Sequence, residues 1–142
     1  MNKDQLYDIL RKYDDIEWEF PNGFDFYQAD KQFMILVDLL KSIATISSFE
    51  HWSEIQDASF HGKIIFKMKD DDISLQLRVS NFGKLVTILN LCKVSLEKQA
   101  LMKSLLIDQG YQFIPEKNLN SSYDGILKKL KGTWFTRFFD YI

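Results

Sequence analysis

Apolar positions recur at two different periods along this chain, and the change of period divides it into regions. Over residues 4–18, Leu6, Ile9, Leu10, Tyr13 and Ile16 return at helical spacing, with Asp8, Arg11, Lys12 and Asp15 on the other side. This predicts a first helix, ended by the Pro21-Asn22-Gly23 loop. A second helix is expected over 28–47. Phe33, Leu36, Val37, Leu40, Ile43 and Ala44 form its stripe, widened by Met34, Ile35, Leu39 and Ile46, so it should be the more buried of the two. Residues 48–58 read as irregular or as a short helix.

The period then falls to two. Phe60, Gly62, Ile64, Phe66 and Met68 alternate with His61, Lys63, Ile65, Lys67 and Lys69, which predicts a strand with one buried face. After the polar turn Asp70-Asp71-Asp72, Ile73, Leu75, Leu77 and Val79 alternate with Ser74, Gln76, Arg78 and Ser80. The two segments make a hairpin with a basic outward face. Asn81 to Gly83 reads as another turn. Lys84 to Cys92 is a third strand, apolar on both faces, placed near the sheet centre or beneath a helix. Ser95 can cap a helix carrying Leu96, Leu101, Met102, Leu105 and Leu106, and Gly110 can close it. Tyr111 to Ile114 is a short strand stopped by Pro115, 116–125 is loop, and 126–131 stays open between helix and strand. Thr133 can cap a short aromatic helix. The expected order is α-α-β-β-β-α-β-α: one α+β domain over 1–142, with an antiparallel sheet of about four strands and helices on one face.

Composition narrows the function classes. Of 142 residues, 46% are apolar and 27% charged, which excludes a largely disordered chain. One cysteine excludes an internal disulfide and a multi-cysteine zinc site, and no metal or cofactor is expected. Neither a secretion signal nor a membrane span is read, so a cytoplasmic location is expected. The net charge of −2 argues against direct nucleic-acid binding, but its distribution is uneven. Residues 1–58 carry 12 acids against 5 bases, and the remainder 8 against 13. The acids are interleaved with Trp18, Phe20, Phe24, Phe26 and Trp52. Asp14, Asp15, Glu17, Trp18, Glu19, Asp25, Trp52 and Glu54 are the candidate partner-binding residues, because an anionic surface with aromatic anchors steers and holds a basic protein. Charge that merely solvates helix faces is the competing reading.

Catalytic parts are sparse. No phosphate loop, zinc-protease motif or calcium loop is present. His51 lies beside Trp52 with Glu50 and Glu54 close by, and His61 is expected on the polar face of its strand. Cys92, at an apolar strand end, reads as a buried, inert thiol. The chain is not expected to be an enzyme. Lys63, Lys67, Lys69 and Arg78 could meet phosphates, but their face lacks the exposed aromatics on which RNA bases stack.

The C-terminal end carries a resemblance. Tyr123-Asp124-Gly125, a spacer, and then Thr133-Trp134-Phe135-Thr136-Arg137-Phe138-Phe139-Asp140-Tyr141-Ile142 resembles the YxG…TWxxRFFDYL-type tail of small bacterial immunity proteins of polymorphic-toxin and contact-dependent-inhibition systems. The likeness covers about 20 residues, and no functional residue is carried over from it. It implies a protein that binds a cognate toxin domain and blocks it, as a monomer or homodimer. Such toxins include basic nucleases, which an acidic face would suit. In the tail, Trp134, Phe138 and Phe139 are expected inward, with Arg137 and Asp140 tying it to neighbours. A non-catalytic adaptor or assembly subunit using the same aromatic surface is the alternative.

Overall fold

A computed structural model describes residues 1–142. Its elements are α1 (Lys3–Tyr13), α2 (Phe26–Leu40), β1 (Ala44–His51), β2 (Phe60–Met68), β3 (Leu75–Ser80), β4 (Leu85–Leu89), α3 (Leu96–Asp108), β5 (Gln112–Phe113), α4 (Glu116–Leu119) and α5 (Trp134–Phe139). The architecture is α+β, around a five-stranded sheet in the order β1-β2-β3-β4-β5. The first four strands are antiparallel and joined by short connections. β5 runs parallel to β4, because the intervening α3 carries the chain back to the starting edge.

One strand more than expected forms. Residues 44–47 leave the predicted second helix and 48–51 leave the segment expected to be irregular or a short helix; together they form β1 against β2, with a register shift between Ile46 and Ser48. α2 stops at Leu40, where the Ser42 hydroxyl donates to the Leu39 carbonyl and removes a helical acceptor. The following Thr45, Ile46 and Phe49 are β-branched or aromatic, which suits a pleated surface better than a helix. Glu116–Leu119, expected as loop, forms a helical turn after Pro115. Residues 126–131 form neither helix nor strand.

Helices cover both faces of the sheet rather than one. On the first face, Ile64, Phe66, Leu75, Leu77, Val79, Val86 and Ile88 pack against Phe33, Leu36, Val37 and Leu40 of α2 and Met102 and Leu106 of α3. Gly62 admits this packing: a Cβ there would collide with the Phe33 ring. β4 is buried on both sides, as its apolar run predicted. On the second face, Leu6 and Leu10 of α1, Phe82, Leu85, Ile114 and Leu119 join Trp134, Phe138 and Phe139 of α5 in a separate cluster.

The expected basic face is only partly free: Lys67 and Lys69 are exposed without an ion-pair partner, but Arg78 and Lys63 are engaged. Arg78 lies 4.5 Å from the Phe60 ring centroid and 5.4 Å from that of Phe135, and it donates to the Phe139 carbonyl at 2.6 Å. Lys63 is paired with Glu50 at 2.8 Å. No helix is long and apolar enough to cross a membrane.

Candidate functional site

The acidic segment after α1 is an irregular, bent strap, not the last turn of a helix. α1 ends at Tyr13, and Asp14 adopts an extended conformation. Ile16, read as part of the helical stripe, is 76% exposed. The strap is shaped by Arg137, from the distant aromatic tail. Its Nε donates to Asp14 Oδ1 at 2.7 Å, Nη1 to the Trp18 carbonyl at 3.0 Å, and Nη2 to the carbonyls of Asp15 and Glu17 at 2.9 and 2.8 Å. Carbonyls that a helix would have turned along its axis are instead gathered inward by one guanidinium. Phe82 and Phe138 hold that group from its faces, at 4.6 and 5.2 Å.

Asp14 therefore leaves the set of surface acids. Its side chain is 3% exposed and that of Arg137 is fully enclosed. The second carboxylate oxygen accepts from Tyr123 Oη at 2.7 Å and from the Ile126 amide at 3.0 Å. A buried ion pair is tolerable only when its remaining polar atoms are satisfied in this way. Gly125 belongs to the same arrangement, since a Cβ there would strike the Asp14 carboxylate and Tyr123. Burial pushes the Tyr123 hydroxyl up to about 12, assisted by Asp14 and opposed by its bond from the Leu127 amide.

A second staple fixes the strap's far end. Asn81 Nδ2 donates to the Glu19 carbonyl at 2.9 Å and to the Ala58 carbonyl at 3.2 Å. Because Nδ2 is occupied as a donor twice, Oδ1 is the acceptor facing His61 Nδ1, 3.0 Å away. His61 Nδ1 thus carries the proton, and Nε2 bears a free lone pair with no protein partner. The sealed, unpartnered side-chain atoms of the molecule are Tyr111 Oη and Asn118 Oδ1, so His61 Nε2 is reachable. His61 was expected on the polar face. A register shift between Phe60 and Gly62 turns it inward instead, to 5% exposure. Burial lowers its pKa from 6.5 to about 4, against the opposing influence of the Asn81 bond and the Asp30 charge.

Beside these staples lies a hollow of about 350 Å³, walled by Phe20, Phe26 and Trp52, with Glu19, Asp57 and His61 also lining it. Phe26 stacks on Trp52 at 5.7 Å and meets Phe20 edge-on at 5.0 Å. Trp52 is 39% exposed and Phe20 38%. No lysine or arginine lines this hollow. Neither Glu19 nor Asp57 enters an ion pair.

The eight residues expected to form one binding surface are thus sorted by the fold. Glu19 and Trp52 meet at the hollow. Asp25 caps α2 and lines an adjoining smaller hollow that His61 shares. Glu54 is turned back to cap the His51 amide and stands 3.3 Å from its ring. Glu17 is exposed, and Asp15 is half-buried with its carboxylate accepting the Glu17 amide. Trp18 borders another groove, beside Lys129, Lys131, Tyr141 and Ile142. Asp14 is interior. Arg137, expected to tie the tail to its neighbours, does so by holding the strap, whereas Asn81 stands in a turn and carries no local signal of its role.

The histidines and the cysteine do not form a reacting set. His51 Nδ1 lies 2.7 Å from Asp30 Oδ1, which occupies both groups. Cys92 is exposed in a short 3-10 turn, not buried, and borders a hollow remote in composition from that of His61. The apolar run that suggested a strand end turns outward after the left-handed Asn90. No group of three or more histidine, cysteine, aspartate or glutamate side chains is arranged to hold a metal ion.

Comparison with known proteins returns no matching family model, no matching curated protein and no matching solved structure.

Proposed function

We propose that this chain is an immunity protein, one that binds a cognate bacterial toxin domain and blocks it. The observation that carries the reading is the hollow of Phe20, Phe26 and Trp52, flanked by Glu19 and Asp57 with no lysine or arginine lining it. Unpaired carboxylates on a surface raise the local concentration of a basic partner and speed its association. Half-exposed tryptophan and phenylalanine supply large rigid contacts once it docks. The strap's backbone is held at both ends, so the surface is organised before the partner arrives and little ordering cost remains. The resemblance of the C-terminal tail to immunity proteins points the same way. Blocking requires only occupation of the toxin's active surface, and the cytoplasm is where the protection would act.

The test is binding to the toxin domain encoded beside this gene. Tight one-to-one association is expected, falling with salt. Replacing Glu17, Glu19 and Asp57 together by lysine should slow association about tenfold or more while leaving the fold intact. Asp14 must be spared, because its loss would unfold the strap. Failure of the neighbouring toxin domain to bind overturns the reading.

A further inference from the structure

We infer that the hollow between Phe20, Phe26 and Trp52 is a receptor for one arginine side chain, presented by the protein partner. This rests on the reading above for the partner's identity, but the site's own chemistry selects the ligand. Phe20, Phe26 and Trp52 line it; Phe26 and Trp52 cover one face of each other, and the part-exposed Trp52 is the ring left to attract a cation by its quadrupole. Glu19 and Asp57 line the same hollow with no ion-pair partner and no competing lysine or arginine there. A neutral apolar guest would leave both carboxylates uncompensated as it displaced their water.

Planarity and donor number separate arginine from other cations. His61, nine-tenths buried with no protein partner at Nε2, lines both this hollow and the adjoining smaller one and adds an acceptor to their shared wall. Its tautomer is set by Asn81, whose Nδ2 is committed to two carbonyls. The guest must therefore be positive, flat enough to lie on a ring, and rich in donors. A guanidinium has five N–H donors in one plane, whereas an ammonium is a compact, strongly hydrated charge. The hollow's volume of about 350 Å³ exceeds what a guanidinium and its stem occupy, so water can share the space.

The probe is N-acetyl-arginine amide, titrated into the intact protein at low salt and followed by the indole N–H resonance of Trp52. N-acetyl-lysine amide and N-acetyl-glutamine amide serve as comparisons. Saturable binding of the arginine compound is expected, about threefold or more tighter than the lysine compound, with no saturation by the glutamine compound. Glu19→Gln combined with Asp57→Asn should weaken it about fivefold or more, with the remaining spectrum unchanged. Absence of saturation, equal response to the glutamine compound, or unchanged affinity in the double variant overturns the assignment. The outcome is separable from that of the function. Arginine binding without toxin binding keeps the site and removes the immunity reading. A bound toxin, none of whose arginines loses more in the native protein than in the Glu19→Gln variant, keeps that reading and removes the site.

Discussion

The two hydrophobic clusters of this protein are built by different means. The larger, between the sheet and α2 and α3, is apolar throughout and assembled from elements whose own periodicity marks the buried face. The smaller joins the two ends of the chain, α1 with α4 and α5, around a charged group. Arg137 sits between Phe82 and Phe138 and reaches Asp14 and three carbonyls of the acidic strap. Burial alone specifies the first cluster. The second depends on a polar network that must be complete to be tolerated, and the same network shapes the surface proposed to bind a partner.

The second cluster is most severely disrupted at Arg137. Arg137→Ala leaves Asp14 buried without its cation and should cost about 3–5 kcal/mol, read as a loss in denaturant midpoint. Amides of α1 and α5 should lose protection from hydrogen exchange, with those of β2 and β3 least affected. Phe33→Ala, in the larger cluster, should cost about as much but weaken the sheet and α2 instead.

Acid sharpens the same contrast through His61. Its pKa is 6.5 when unfolded and about 4 in the native protein, so the unfolded chain binds the extra proton between those values. Native stability should accordingly fall as pH drops from 6.5 towards 4, by about 3 kcal/mol in all, and level off below. His61→Gln should remove most of that slope in a urea series measured across the window. A smaller loss is expected at Gly125. Gly125→Ala forces the Asp14 carboxylate and Tyr123 apart and should cost about 1–3 kcal/mol in thermal unfolding, whereas Gly23→Ala, with open space around it, strains only its own left-handed backbone.

These sites also mark where the sequence could be read and where it could not. The β2–β3 hairpin, the doubly buried β4, the Ser95 cap and the Thr133 cap follow from local patterns, and the structure contains all four. β1 was hidden because Ile43 and Ala44 continue the apolar spacing of α2 without interruption. The strap was hidden for the same reason: Ile16 falls at a helical position, yet its neighbours' carbonyls are claimed by a guanidinium more than a hundred residues away. His61 escaped because a single bulge reverses the facing that strict alternation implies. At the candidate site, composition identified the acids and aromatics. Which of them are free was decided by long-range pairing, which turned Asp14 inward and left Glu19 and Asp57 unpaired.

The smallest effect on stability should accompany the largest effect on function. Glu19→Lys should change unfolding free energy by no more than about 0.5 kcal/mol, as a half-buried charge without an ion-pair partner at the rim of a hollow contributes little. The most direct measurement is the association rate of the protein with the neighbouring toxin domain, for native and Glu19→Lys chains, across a salt series. Charge steering gives fast association in the native protein that falls with salt, and slower, flatter kinetics in the variant. No association, or identical rates in both chains at every salt concentration, would contradict it.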